Sequence, residues 1–302
     1  MPNFAELAAD KAFLRSIAGN AYKLPGDLDH FVFLKALVQN FASTDAQLRD
    51  ELTYMILAHA IIDQESSHLL STSEREELLL TCMDSDHLFF GIGESGSDSV
   101  FMRSFSLLIV AALLFADAKR RQLSEGVTRQ GQVALMRYAK EERDWRGYIQ
   151  GKGWAHAAAH LSDALDECAQ NRYMLMPDRM AVMQTLTHLA TLPVPLCYEE
   201  DDRMAFAAYR VISNKLVDEA FLETWVESFF VSRTEEVPGL TERDVSNWVR
   251  AANAKKFLRS LYFRLLWNQK APFLVERIAN VLKRLDPLPA MEASNEEQPD
   301  PA

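Results

Sequence analysis

The sequence predicts an all-α protein, and three observations carry that prediction. Apolar residues recur at intervals of three and four in one segment after another, without the sustained alternation that strands show. Glycine and proline, which interrupt helices, number only 11 each in 302 residues. The helical segments also fall into pairs that repeat roughly every 50 residues. Together these features predict a HEAT/armadillo-like α-α superhelix built from antiparallel helix pairs.

Helix boundaries follow from capping residues and breakers along the chain. Ser43–Asp45 and Ser71–Glu74 offer side-chain caps, and Pro177 and Pro272 suit a first helical turn. The predicted helices are 3–18, 28–41, 44–62, 72–83, 99–118, 128–142, 154–170, 177–191, 199–213, 217–232, 241–267 and 272–285. The predicted pairs are 28–41 with 44–62, 72–83 with 99–118, 128–142 with 154–170, and 177–191 with 199–213.

The domain organisation follows from a change in composition near the end of the chain. Residues 1–285 are predicted to form a single helical-repeat domain. Residues 286–302 are rich in proline and acidic side chains and poor in large apolar ones, which predicts a disordered acidic tail. The absence of a residue-level repeat leaves a compact irregular α-domain as the alternative to a superhelix.

The charge and the apolar runs exclude several classes of protein. There are 32 Lys and Arg against 43 Asp and Glu, a net charge of -11, which disfavours a partner with a phosphate backbone. The most apolar run, 105–116, is too short to span a membrane, and the first residues do not resemble a secretory signal. Three scattered cysteines, which we expect to be buried, form no CxxC pair. We therefore expect a cytoplasmic protein with no nucleic-acid and no membrane partner.

Polar side chains line one face of the predicted helix 154–170. His156 and His160 are four residues apart, a spacing that can direct two imidazoles at one metal ion, and Asp163 can add an oxygen ligand. This is not the HExxH protease motif, because Ala157 replaces its glutamate. The pattern predicts a candidate divalent-metal site, with simple packing or acid–base chemistry as alternatives, and the sequence leaves the identity of any cofactor unknown.

The helix pairing places three loops, 84–98, 142–153 and 192–198, along one edge of the stack. The helices that follow them would begin side by side, so that their amide donors and basic side chains such as Arg103, Arg203 and Arg210 could hold an anionic group. In the alternative, Arg103 and Arg203 pair with nearby carboxylates, among them Glu94, Asp98 and Asp144.

Three segments carry a resemblance to a known family: LRDELTYMILAHAI, LFFGIGESGSDSVFMRSFSLLIVAALL and RGYIQGKGWAHAAAHLSDALDE. They resemble the bacterial family of domains of unknown function 2785, over roughly Tyr22 to Leu285. The resemblance implies a mostly helical, HEAT-like protein with no established catalytic residues. The positions inside its motifs, our candidate ligand-binding residues, are Glu94, Asp98, Ser99, Arg103, Arg146, Lys152, Trp154, His156 and His160, with Gly147, Gly153 and Asp163 beside them.

Two classes of function remain open from the sequence. The favoured one is a non-enzymatic scaffold or binding module that recognises a protein or peptide partner through a polar site near Arg103, His156 and His160. The alternative is a metal-dependent hydrolase, or a protein that binds a small anionic ligand, using His156, His160 and Asp163.

Overall fold

The computed structural model describes residues 3–230 and 242–286, so that the predicted tail lies, apart from Asp286, outside the described residues. The first predicted helix is two: α1 (Phe4–Ala9) and α2 (Lys11–Gly19). Asp10 separates them because its backbone is extended, and its carboxylate accepts hydrogen bonds from the amides of Ala12 and Phe13. A capping aspartate thus ends one helix and begins the next.

The next helices follow the predicted boundaries with local changes of winding. α3 (His30–Leu37) tightens into a 3₁₀ turn, Val38–Ala42. The segment Gln47–Tyr54 is π-helical and continues directly into α4 (Met55–Ile62). α5 (Thr72–Cys82) begins at Ser71, whose side chain forms a capping box with Glu74, as the sequence signal suggests.

The remaining helices alternate along the chain with loops of different length. They are α6 (Ser99–Arg120), α7 (Glu125–Glu141), α8 (Ala157–Gln170), α9 (Met176–Ala190), α10 (Glu200–Ser213), α11 (Glu219–Glu227), α12 (Glu242–Trp267) and α13 (Pro272–Arg284). The all-α prediction is therefore confirmed.

From α4 to α12, each helix contacts the helix two places further along the chain, which gives two series of contacts. In one series α4, α6, α8, α10 and α12 each contact the next member, and in the other α5, α7, α9 and α11 do the same. The series are joined because α5 contacts α6, α7 contacts α8, and α9 contacts α10. One continuous cluster of buried apolar side chains runs from Ala8 to Leu285 through all of these contacts.

The helix α6 lies at the centre of this packing. It is long and apolar enough to cross a membrane, but 83% of its most apolar window is buried inside the protein. Its apolar character is therefore explained by contacts with α4, α5 and α8.

Two further sequence predictions need correction. The segment 154–170 is not helical from its start, because β1 (Tyr148–Ile149) and β2 (Gly153–Trp154) form an antiparallel hairpin and α8 begins only at Ala157. Two-residue strands are too short to give a period-two signal. Cys197 is exposed, whereas Cys82 and Cys168 are buried as expected. Burial raises the pKa of the Cys168 thiol to about 12.

Candidate functional site

The three loops that the sequence places on one edge do lie together. The amide of Gly96 donates to the Asp144 carboxylate at 2.9 Å, which joins the loop before α6 to the loop before α8. Nε2 of His156 lies 3.0 Å from the carbonyl oxygen of Tyr198, which joins the second loop to the third. We call the surface formed by loops 83–98, 142–156 and 191–199 the loop edge.

Arg103 is the internal brace of the loop edge. Its guanidinium is fully buried and makes a two-pronged ion pair with Glu142, Nε to Oε2 at 2.7 Å and Nη2 to Oε1 at 2.9 Å. Its Nη1 donates to the carbonyl oxygens of Phe90 and Gly91 and to the Ser99 hydroxyl. Because each of its nitrogens is engaged inside the protein, Arg103 is not available to a ligand. Its partner is Glu142, rather than the carboxylates that the sequence suggested.

The other charged candidates at this edge also pair with one another. Arg146 binds the buried Asp144 carboxylate with Nε at 2.7 Å and Nη2 at 2.6 Å. Lys152 Nζ lies 2.7 Å from both oxygens of Asp98. Glu94 is exposed and accepts hydrogen bonds from the hydroxyls of Ser97 and Ser99, which lower the pKa of its carboxyl. The charges thus tie the loops together rather than forming an open anion cradle.

A second buried arginine, Arg49, holds the β hairpin against the helices. Its Nη1 donates to the Ser43 carbonyl oxygen at 2.8 Å and its Nη2 to that of Lys152 at 2.9 Å. The guanidinium lies 4.0 Å from the centre of the Phe101 ring. Gly153 (φ +87°) permits this approach, because a Cβ there would lie 3.0 Å from the Arg49 guanidinium. The hairpin is therefore fixed to the core at its second strand.

The hairpin fixed by Arg49 forms part of an aromatic cluster. Its members are Tyr148, Trp154, His156 and Tyr198. Tyr148 and Trp154 face each other across the hairpin with ring centroids 5.0 Å apart. The Trp154 ring stacks on His156 at 4.6 Å and meets the edge of Tyr198 at 5.4 Å. Tyr148, Trp154 and Tyr198 are 47%, 39% and 43% exposed. Tyr198 lies so close to Gly147 that any Cβ at that position would collide with its ring.

The predicted metal ligands are not arranged as a three-ligand site. His156 precedes α8 with a left-handed backbone (φ +52°), and its Nε2 faces Tyr198 and Glu200. His160 is buried and its Nδ1 lies 3.1 Å from the Ser104 carbonyl oxygen. Asp163 pairs with Arg203 at 2.6 Å. In the described ranges, no group of three or more His, Cys, Asp or Glu side chains is placed to hold a metal ion.

Burial controls the protonation of these side chains. Burial, helped by the nearby His156, lowers the pKa of His160 to about 3, so that the imidazole is neutral near pH 7. Because its Nδ1 faces a carbonyl acceptor, the proton of the neutral ring belongs on that nitrogen. Burial also raises the pKa of Asp163, and this effect exceeds the opposing effect of Arg203.

Beyond the loop edge, a cavity of about 250 Å³ opens between α4, α6, α8 and α10. Apolar side chains including Leu108 and Phe115 line it, together with Asp163, Asp166 and Glu167. One nitrogen of Arg210 contacts both Asp166 and Glu167, at 2.7 and 2.6 Å. The acidic side chains of α8 therefore pair with the basic ones of α10: Asp163 with Arg203, and Asp166 and Glu167 with Arg210.

Several residues in the loop edge or in contact with it were missed by sequence reasoning: Arg49, Glu142, Tyr148, Tyr198 and Glu200. Arg49 lies about a hundred positions from the hairpin that it holds, so no local pattern could indicate the contact. Tyr148 and Tyr198 carried a weak signal, since aromatic side chains in polar loops are candidates for recognition.

Comparison with known proteins identifies a family without assigning a function. Residues 88–263, more than half of the chain, match the model of the family described as protein of unknown function (DUF2785). The chain belongs to that family. No curated protein and no solved structure matches the chain.

Proposed function

We propose that this DUF2785 protein is a non-enzymatic binding module of the cytoplasm, in which the loop edge recognises a protein or peptide partner. The two series of helix contacts, running in parallel along the chain, support a HEAT-like superhelix as its scaffold and residues 1–285 as a single domain. Repeats of this kind serve as binding surfaces because each pair of helices adds area to one continuous face.

The observation that carries the proposal is the aromatic cluster. Tyrosine and tryptophan are enriched at binding hot spots, because they bury much area at a low cost in conformational entropy. Here three rings are 39% to 47% exposed: Tyr148 and Trp154 on the braced hairpin contact each other, and Trp154 also contacts Tyr198 of the next loop. A partner gains affinity from a surface that is already ordered.

The charges around the cluster favour binding over catalysis. Nucleophilic and acid–base catalysis both require a polar group that is free to reach a substrate. Arg103, Arg146 and Lys152 instead have internal carboxylate partners, and the buried His160 lies against a backbone carbonyl. The same pairing argues against an anionic ligand at the loop edge, because the charge of Arg103 is already neutralised by Glu142.

Affinity capture from a membrane-free extract of the source cell tests the proposal. The wild type is compared with the triple variant Tyr148→Ala, Trp154→Ala, Tyr198→Ala and with a control that removes exposed aromatic residues elsewhere, Phe263→Ala, Trp267→Ala. We expect a defined partner to be captured by the wild type and the control and lost from the triple variant. A partner that is captured equally by all three proteins would show that the cluster is not the recognition surface.

A further inference from the structure

The net charge of the chain is unevenly distributed, and its last two described helices are basic. Residues 242–286 contain ten Lys or Arg and four Asp or Glu, whereas the whole chain carries a net charge of -11. The expectation of no nucleic-acid partner was drawn from the total charge, which hides this local excess.

Exposed apolar side chains follow one face of α12. Val245, Trp248, Phe263, Leu266 and Trp267 are between 44% and 74% exposed. At 3.6 residues per turn they fall within a sector of about 100°, and the stretch from Val245 to Trp267 is about 33 Å long. The rings of Phe263 and Trp267 stack at 5.4 Å, so part of this face is already ordered.

Basic side chains lie in the middle of the same sector. Lys256 and Arg259 are exposed and fall between the apolar groups at the two ends, and the exposed Lys270 follows the end of the helix. The Lys256 ammonium donates to the carbonyl oxygen of Leu196. This partner is neutral, so the hydrogen bond does not cancel the positive charge of Lys256. We call this sector, with its five apolar and two basic residues, the α12 stripe.

The rest of the basic excess is partly neutralised on other faces. Arg264, Arg277 and Arg284 pair with carboxylates of α10 and α11. These ion pairs fix α12 and α13 against the preceding helices. They leave the exposed Arg259 and Lys270 as charges that an incoming surface would meet, whereas the Lys256 ammonium is turned towards the carbonyl of Leu196.

We propose that the α12 stripe is a peripheral docking site for a membrane surface that contains anionic phospholipids. Tryptophan, phenylalanine and leucine insert at the boundary between headgroups and acyl chains, and lysine and arginine extend to the phosphates from the same helix. An exposed helix face about 33 Å long, at a rise of about 1.5 Å per residue, is long enough to lie along a membrane surface.

The composition of the stripe favours a membrane over a single-stranded nucleic acid. Nucleic-acid sites of that type combine a basic groove, which follows the phosphate backbone, with aromatic rings on which bases stack. The stripe is one face of a single helix, and its exposed aliphatic residues Val245 and Leu266 offer no stacking surface. Its charge and apolar area are instead those of an interfacial helix.

Sedimentation with lipid vesicles tests this inference on the purified full-length chain. Vesicles of phosphatidylcholine alone are compared with vesicles that also contain phosphatidylserine, at low and at high salt. We expect binding to the mixed vesicles at low salt, weak binding to neutral vesicles, and loss at high salt because the attraction is screened.

Two variants separate the contributions of the stripe. Arg259→Glu, Lys270→Glu should weaken binding by about fivefold or more for each basic residue replaced. Trp248→Ala, Phe263→Ala, Trp267→Ala should weaken it by about tenfold or more, because the inserted apolar area is lost. Since these side chains are exposed, circular dichroism should show that both variants keep the fold.

Matched controls and alternative outcomes make the test decisive. The variant Phe90→Ala, Val133→Ala removes exposed apolar side chains that lie outside α12 and outside the aromatic cluster, and it should bind vesicles like the wild type. Failure of the wild type to bind the mixed vesicles at low salt overturns the inference, as does equal binding by all variants. Binding to single-stranded polyuridylate without binding to vesicles overturns it in favour of a nucleic acid.

Discussion

The loop edge and the α12 stripe contain the same kinds of side chain and use them in opposite ways. At the loop edge the arginines point inward and bind carboxylates and carbonyls, and the aromatic rings rest on the hairpin that this network holds. On α12 the aromatic and basic side chains share one outward face. The difference shows that Arg, Lys and Trp in a sequence do not distinguish an internal brace from a docking surface, because burial decides the role.

The largest expected effect lies at the brace of the loop edge. Arg103→Met leaves the Glu142 carboxylate buried without its partner, and we expect the free energy of unfolding to fall by about 3–5 kcal/mol. Chemical denaturation with urea measures this change. The exposed pair Arg137 and Glu141 provides the control, because Arg137→Ala should cost less than about 1 kcal/mol.

A double variant distinguishes a lost ion pair from lost packing at the same place. Arg103→Met, Glu142→Leu removes both buried charges and should recover much of the stability that the single variant loses. If the single and double variants are equally unstable, the contacts of Arg103 with the loop carbonyls, rather than its charge, hold the edge.

The buried histidine should give the next largest effect, and it depends on pH. Unfolded His160 takes up a proton below its ordinary pKa of 6.5, whereas in the folded protein burial lowers the pKa to about 3. Stability from this group is therefore complete above pH 6.5 and falls as the pH drops towards 3, by about 1.4 kcal/mol per pH unit.

The variant His160→Asn tests that pH dependence, because it keeps an N–H group near the position of Nδ1 but does not titrate. Unfolding by urea between pH 4 and 7 should show a flatter decline for the variant than for the wild type. The comparison is needed because Asp166, whose pKa burial raises from 3.8 to about 7, acts in the opposite direction: its contribution to stability falls as the pH rises from 3.8 to about 7. Parallel curves for the two proteins would contradict a neutral buried His160.

A smaller effect is expected where the hairpin meets Arg49. Gly153→Ala adds a Cβ that lies 2.8 Å from Cβ of Ala46 at a positive φ, and we expect a loss of about 2–3 kcal/mol. Gly151 also has a positive φ but nothing within 4 Å of an added Cβ, so Gly151→Ala should cost only about 1 kcal/mol. Equal losses in thermal unfolding would mean that the close approach to the core is unimportant.

The sequence predicted the helices well and the site only in part. Periodic apolar spacing placed α6 and α10 within a few residues, and the pairing of helices correctly brought the three loops to one edge. The apolar spacing is a local property of the sequence, and the pairing of helices depends only on their order along the chain. Both can therefore be predicted from the sequence.

The roles of the site residues could not be predicted in the same way. Arg103 and His160 have the chemistry of ligand-binding residues, but their burial depends on Glu142 and Ser104, which are distant in sequence. The hairpin was missed because its strands are two residues long, and with it the left-handed backbone of His156, which lies before the start of α8 rather than inside a helix. The sequence motif made Trp154 a candidate binding residue. The structure shows that its ring contacts those of Tyr148 and Tyr198, which the sequence did not indicate.

Photo-crosslinking from position 154 in the source cell tests the central claim most directly, since it reports what touches the aromatic cluster. A photoreactive amino acid is placed at Trp154 and, as a control, at Val133, which is 64% exposed on α7. The account predicts a discrete protein adduct from position 154 that is lost when Tyr148 and Tyr198 are also replaced by alanine, and that does not form from position 133. The same adducts from both positions, or none from position 154, would contradict it.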